Sequence, residues 1–376
     1  MVMFLLTFFL LYGGIHLYAL IRLDSIFHFS AVYKTLVVIL MIFLILAPPI
    51  LVRIVEAHQM EALARIIAFT GYLWMAFIFL FFCLGVVFDV VRLLFRFFPA
   101  AVNPAALSGI ALALVALFSL ILVVYGYFDA REIRIKKLEI VTGNHLPNNG
   151  KIRIVQISDV HVGIVIKEKR LQALADKIKE AQPDILVSTG DLLDGELNNV
   201  LPLAERLAQI KPQFGKYAVT GNHEYYAGIA KSLAFTRQAG FEILRDEVRE
   251  VAGINIAGVD DITGRKPIFA RENPRATRTM PATGKDKFTL LLKHQPVVNS
   301  ADNFNLQLSG HTHGGQLFPF GLITGRFFKN NYGYFELEKN KLLYVSRGVG
   351  TWGPPVRVFA PPEITVIDLI GRNQKQ

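Results

Sequence analysis

Cysteine is almost missing from this chain: there is one, Cys83, in 376 residues. An intrachain disulfide and a thiolate metal cluster are both excluded, and cysteine usage does not separate a reducing from an oxidising compartment. Charge is nearly missing from the first third. Up to Phe128 there are six Lys or Arg and four Asp or Glu, and from Asp129 onward there are 34 and 26. Internal repeats and low-complexity tracts are absent as well. The 52% apolar average therefore conceals two parts, one rich in hydrocarbon and one of ordinary soluble composition.

Four uncharged apolar segments, residues 1–21, 35–52, 66–88 and 97–128, each match the roughly 20 residues that a helix needs to cross a bilayer. The last is expected to be helical from about Leu107, and residues 1–128 read as a transmembrane domain of four helices. A cleavable signal peptide competes for the first segment. Against it, no basic residue precedes the apolar run and no small-x-small site closes it. Pro48-Pro49 is expected to kink or end the second helix, and Asn103-Pro104 to break the chain before the fourth. His16, inside the first span, marks either a functional site or a polar contact within the bundle.

Four crossings place both flanks of the bundle on one side. Arg22, Lys34, Arg92 and Arg96 fall on the opposite side, against Arg53, Arg65, Arg131, Arg134, Lys136 and Lys137 on the shared one, which favours a cytoplasmic second domain. Residues 129–150 read as a basic juxtamembrane linker, with a collar over 129–137 suited to anionic headgroups.

From Lys151 the pattern changes. Strand-like runs at 152–157, 185–188 and 217–220 alternate with helix-like ones at 167–181, 201–210 and 229–239. Strands then follow at 254–259, 288–292, 304–308, 342–346 and 364–369. The expectation is an α/β fold over 151–371 with two sheets face to face, helices outside and a site at strand carboxyl ends. The segment 263–287, with seven Lys or Arg and two acids, reads as a solvated loop or as a basic cover over an anionic substrate or membrane.

The short blocks after these runs carry the chemistry: Ser158-Asp159-Val160-His161, Gly190-Asp191-Leu192-Leu193-Asp194, Gly221-Asn222-His223-Glu224, Lys293-His294-Gln295-Pro296 and Gly310-His311-Thr312-His313-Gly314-Gly315-Gln316. On an extended backbone, residues i and i+2 point the same way, so His311 and His313 are expected to face one pocket. Carboxylates, imidazoles and an Asn amide suit divalent cations such as Mn²⁺, Fe²⁺ or Zn²⁺. At least seven candidate ligands exceed what one ion needs, which points to two metals about 3.5 to 4 Å apart sharing a carboxylate.

In this order the blocks D-x-H, G-D-x-x-D, G-N-H-E, His before Pro and G-H-x-H resemble the calcineurin-like metallophosphoesterase family. The resemblance covers roughly residues 150 to 370. G-H-T-H-G-G-Q, with Ser346-Arg347-Gly348-Val349-Gly350 and Ala360-Pro361-Pro362-Glu363-Ile364, resembles its membrane-attached branch. The resemblance implies a four-layer α/β/β/α sandwich. It also implies that Asp159, His161 and His313 hold one metal, that Asp191 bridges, and that Asn222, His294 and His311 complete the second. His223 would serve the leaving-group oxygen, oriented by Asp194 or Glu224. Arg347 would either contact substrate phosphate or pair with a nearby acid.

The function expected is a membrane-anchored, metal-dependent phosphohydrolase acting on a phosphoester or pyrophosphate. A tethered enzyme favours an amphiphilic substrate, of which a UDP-2,3-diacylglucosamine type is the most concrete and a phospholipid or isoprenoid diphosphate the alternatives. A non-catalytic scaffold or receptor on the same fold is the competing reading; it is expected to carry degenerate motifs, whereas every metal position here is filled. No nucleic-acid partner is expected, because four spans and the lack of a long basic-aromatic groove outweigh the net charge of +10.

Overall fold

The structure, a computed structural model, describes residues 2–95, 104–195, 200–270, 280–284 and 286–371. The chain divides into two compact units, Met1–Phe128 with Gly353–Val358, and Asp129–Trp352 with Phe359–Gln376.

The first unit is helical. Its helices Val2–Phe27, Ala31–Leu46, Glu61–Phe95 and Pro104–Asp129 supply four spans long and apolar enough to cross a membrane. Their side chains are hydrophobic all round, so lipid can take the outward faces while Tyr12, Ala19, Met41, Ile78 and Phe81 form a buried cluster inside. At Pro48-Pro49 the chain neither stops nor breaks. A wider turn over Ala47–Leu51 absorbs the two prolines, whose missing N–H groups an ordinary turn would need, and a helix continues over Val52–Ala57. His16 is a polar contact within the bundle: its Nδ1–H donates to the Tyr12 carbonyl at 2.8 Å, and its Nε2 accepts from the Trp74 indole at 2.8 Å. One neutral tautomer satisfies both bonds. The segment Gly353–Val358 joins this unit, with the Arg357 N–H donating to the Gly126 carbonyl at 2.9 Å.

The second unit holds two six-stranded sheets. Its strands in chain order are β1 (Arg134–Val141), β2 (Lys151–Ile157), β3 (Ile185–Ser188), β4 (Lys216–Ala218), β5 (Glu242–Ile243), β6 (Glu247–Val251), β7 (Ile254–Gly258), β8 (Thr289–Leu292), β9 (Leu306–Ser309), β10 (Gly333–Glu336), β11 (Leu342–Val345) and β12 (Glu363–Ile370). The first sheet runs β1-β12-β2-β3-β4-β5 and the second β10-β11-β9-β8-β7-β6. Within them, β2 to β5 and β7, β8, β9 and β11 are parallel, while β6, β10 and the β2–β12 pairing are antiparallel.

Strand β2 shows why the central runs are continuously apolar rather than alternating: both faces are covered. Ile152 and Ile154 enter a core with Ile185, Val187, Ile256, Leu290, Leu292, Leu306 and Leu308 from the two sheets. Val155 and Ile157 face the other way, against Leu171, Leu174 and Ile178 of the helix Glu168–Ala181 and Phe235 of the helix Ile229–Gln238. Each fully buried Ile or Leu contributes roughly 2 kcal/mol here. The layered α/β fold with two stacked sheets is the one expected. On the far face of the second sheet, a smaller cluster of Ala257, Val259, Leu291 and Phe304 packs with Met280, Val298 and Leu337.

Residues 129–150 differ from the linker expected there. Arg134–Val141 is the edge strand β1, paired in parallel with β12. Its basic residues Arg134, Lys136 and Lys137 lie exposed between the half-buried Ile135 and Leu138, as suits an edge strand defended by charge. The same charges gave the stretch its linker-like composition. The short strands β5, β6 and β10 were likewise not legible. Of the basic segment 263–287, residues 271–279 and 285 lie outside the described residues.

Candidate metal centre

The parallel strands of both sheets deliver their following loops to one place. Asp159 and His161 follow β2, Asp191 and Asp194 follow β3, Asn222 and His223 follow β4, His294 follows β8, and His311 and His313 follow β9. The two imidazoles after β9 do not arrive on an extended backbone as expected. The strand stops at Ser309, and His311 and His313 sit in a tight turn with φ of 74° and 51°. Asp159, His161 and Asp191 share this left-handed conformation, at 52°, 53° and 54°. For residues other than glycine it costs on the order of 1 kcal/mol each, strain that collects at functional sites.

Gly310 makes the turn possible. A Cβ on it would lie 2.0 Å from Ser158 Oγ and 2.2 Å from Asp159 Oδ2. Without one, the His311 N–H reaches both Asp159 carboxylate oxygens, at 3.0 and 3.1 Å.

The side chains form two groups. In the first, His161 Nε2 lies 3.1 Å from His313 Nε2, which is 3.5 Å from Asp159 Oδ1. In the second, His294 Nε2 lies 3.1 Å from Asn222 Oδ1, 3.1 Å from Asp191 Oδ2 and 3.2 Å from His311 Nδ1. Asp191 Oδ2 is also 3.8 Å from His161 Nε2, so this one carboxylate reaches into both groups. His161, Asp194 and His223 make a third set of close ligand atoms. There the His223 ring stands perpendicular to His161 at 4.6 Å, and its Nδ1–H donates to Asp194 Oδ1 at 2.9 Å.

This arrangement fits divalent cations. His294 Nδ1–H donates to the Thr189 carbonyl at 2.8 Å, which turns its Nε2 toward two oxygens and the His311 Nδ1. Burial lowers His294, yet Asp191 and Asp159 raise it well above the usual imidazole range, so its Nε2 carries a proton where a divalent cation would take that proton's place. His161 Nδ1 is buried without a hydrogen-bond partner. Burial, followed by the positive neighbours His223 for His161 and His294 for His311, pushes these two imidazoles down to about 4 and about 3, so both carry free lone pairs at neutral pH. Burial pushes Asp159 up to about 6. It also pushes Asp191 upward, but the charges of His294 and His223 outweigh it and hold this acid well below the carboxylate range. For His223 burial works downward, yet Asp191 and Asp194 raise it to about 9.

Glu224 touches neither ring nitrogen of His223. Its carboxylate accepts the N–H groups of Gly221 at 2.6 Å, Asp191 at 2.9 Å, Leu192 at 2.7 Å and Leu193 at 3.4 Å. It fixes the Asp191 loop against the start of the helix Asn222–Tyr226, and Asp194 alone of the two acids reaches His223 Nδ1. The Arg347 side chain faces an acid and an aromatic ring. Its guanidinium lies 3.9 Å from Glu363 and stacks 4.4 Å from the Tyr332 ring centre, while its Cγ approaches Gly314, next to His313.

Three supporting groups were not legible. Ser158 donates to Asp159 Oδ2; the Thr189 carbonyl orients His294; and Gln316 exchanges two bonds with Trp352, at 2.9 and 3.1 Å, which holds that indole 6.1 Å from the His223 ring. Only the last leaves a sequence signal, the Gln closing G-H-T-H-G-G-Q.

Comparison with known proteins agrees with this geometry. The family model for calcineurin-like phosphoesterases matches residues 152–315, which take in every residue of the two groups. A metallophosphoesterase of Aquifex aeolicus is 39% identical over 256 residues, 66% of this chain and 96% of that protein. One of Campylobacter jejuni is 35% identical over 61% of this chain, and the chain spans only 62% of its length. A Danio rerio protein named as a transmembrane protein with a metallophosphoesterase domain is 29% identical over 84% of this chain and 74% of its own length. With four apolar helices followed by two sheets whose parallel strands converge on clustered Asp and His, the chain is membrane-associated and belongs to the metallophosphoesterase family.

Proposed function

We propose that the chain is a membrane-anchored phosphohydrolase that uses two divalent ions to cleave a phosphoester or pyrophosphate bond by attack of water. The observation that carries this reading is the position of Asp191, whose Oδ2 lies 3.1 Å from His294 and 3.8 Å from His161. Asp159, His161 and His313 would hold one ion, Asn222, His294 and His311 the other, and Asp191 both. Mn²⁺, Fe²⁺ or Zn²⁺ would supply positive charge at phosphoryl oxygens and acidify a water.

The remaining work falls to the chain. By donating Nδ1–H to Asp194, His223 turns its Nε2 toward the site, where it can hold the proton that a departing oxygen takes. Glu224 keeps the Asp191 loop from shifting when charge develops. Arg347, half-buried beside Gly314 and facing Glu363, would contact a substrate phosphate oxygen.

The substrate class inferred is amphiphilic, a UDP-2,3-diacylglucosamine-type molecule or a phospholipid, with the domain on the cytoplasmic face and the chain in the membrane-attached branch of its family. Four spans support this: an anchored enzyme meets lipid-borne phosphates at high local concentration. The test is hydrolysis by full-length protein in detergent with Mn²⁺, across lipid phosphates, nucleotide diphosphate-sugars and aryl diesters. Turnover of at least one of these, abolished by Asp191→Asn, is expected. No cleavage of any of them would overturn the reading.

A further inference from the structure

An apolar element rises directly from the metal-binding turn. The helix Phe320–Phe327 contains no buried residue. Leu322 is 70% exposed and Phe327 79%, with Ile323 and Phe318 also open to solvent. Phe359, 65% exposed, stacks edge-on to Phe318 at 6.0 Å. A soluble protein rarely displays so many large apolar side chains together without a partner for them.

The base of this helix is rigidly joined to the site. Gly315, two residues after His313, runs so close to it that a Cβ would lie 2.2 Å from Gly321 Cα. The Phe320 N–H donates to the Leu317 carbonyl at 2.7 Å, and Asn331 Nδ2 donates to the Gly321 carbonyl at 3.1 Å, while Thr312 bonds the Asn331 carbonyl. A displacement of the helix would therefore carry the His311–His313 turn with it.

Two features identify the occupant as a bilayer rather than a soluble protein. Exposed Arg326 and Lys329 flank Phe327, so apolar tips are set beside cations, the pairing that an interface of acyl chains and anionic headgroups selects. The chain is also membrane-associated: Phe359 directly follows Val358, the last residue of the segment that belongs to the helical unit.

We propose that Phe320–Phe327, with Phe318 and Phe359, inserts into the interfacial layer of an anionic bilayer and thereby sets the metal centre at headgroup depth. This extends the proposed function, on which it rests for its catalytic consequence. The inserted element selects phosphates still embedded in the membrane over free ones.

The experiment uses full-length protein carrying Cys83→Ser, reconstituted in nanodiscs containing phosphatidylglycerol, with an environment-sensitive fluorophore on Leu322→Cys or, as a control, on exposed Lys179→Cys. The Leu322 probe is expected to be quenched by spin-labelled lipid and shielded from aqueous iodide, with the control the reverse. A Leu322 probe that behaves like the control overturns insertion. Shielding that vanishes on dilution and ignores lipid quenchers assigns the surface to a second copy of the chain, and overturns it too.

Neither readout depends on catalysis, so insertion without any hydrolysis would leave this inference standing and sink only the hydrolase reading. For the catalytic consequence, Leu322→Asn with Phe327→Asn should lower kcat/KM on a phospholipid in the same nanodisc roughly tenfold, with turnover of a water-soluble aryl phosphodiester unchanged. An equal fall on both substrates would refute selection of embedded phosphates.

Discussion

The imidazole of His223 and the carboxylate of Asp194 are joined by a 2.9 Å hydrogen bond, which ties the short helix Asn222–Tyr226 to the loop after β3 beside the clustered Asp and His side chains. In the proposed reaction this bond would orient the ring so that Nε2–H is presented to a leaving group. His223→Asn should lower kcat by roughly 10²-fold on an alkyl phosphoester, and much less on a p-nitrophenyl ester, whose oxygen departs without a proton. Asp194→Asn should reproduce this split in milder form with metal content retained. Equal losses on the two esters would show that His223 is not the acid.

Metal removal is expected to separate Asp191 from Asp194. Saturating Mn²⁺ stabilises a folded site by about 4 kcal/mol at a thousandfold excess over Kd, read as a rise in Tm that EDTA reverses. Asp191→Asn should abolish most of that rise because it takes a ligand from both groups, whereas Asp194→Asn should keep it. Thermal melts with and without Mn²⁺ decide the matter.

Gly310→Ala is a test of packing rather than of charge. The added methyl group meets Ser158 and Asp159 and must push the carboxylate aside. The expected result is a roughly tenfold or greater loss of affinity for one of the two ions. Elemental analysis of the dialysed protein should then fall from two equivalents toward one.

A pH effect on stability is expected away from the centre, at Lys216. Its Nζ is buried between the Leu207 and Ala239 carbonyls and lies over the Phe241 ring at 4.8 Å. Burial pushes it down from 10.5 to about 8. Between these values the unfolded chain binds more protons than the folded one, so this group makes stability rise as pH climbs from 8 toward 10.5. Lys216→Met should flatten that rise in Tm relative to the unaltered protein; an unchanged slope would refute the assignment.

Much of this was legible because local chemistry and global fold agree at the site. Asp159, Asp191 and His294 each follow a buried apolar run, and a buried run in an alternating pattern is a parallel strand. The edges were another matter. Strand β1 alternates Ile135 and Leu138 with Arg134, Lys136 and Lys137, and such a basic stretch after an apolar span has the composition of a juxtamembrane linker. Only its pairing with β12, more than two hundred residues away, distinguishes it. The geometry of His311 and His313 was hidden for a different reason, since a left-handed turn leaves no periodicity and depends on Gly310 clearing a side chain from another sheet. Glu224 was legible as an acid near His223 but not as the acceptor of four backbone N–H groups, because backbone partners leave no trace in residue type.

The position of β12 in the first sheet constrains the order of assembly during synthesis. It lies between β1 and β2, yet it is translated after the other strands among the described residues. Until residues 363–370 emerge from the ribosome, β1 and β2 have an open gap between them while the apolar helices upstream are already available to the translocon. The nascent domain thus waits, half-zipped, for its final ribbon, and a stop codon before residue 363 should yield a membrane-inserted but chaperone-bound product.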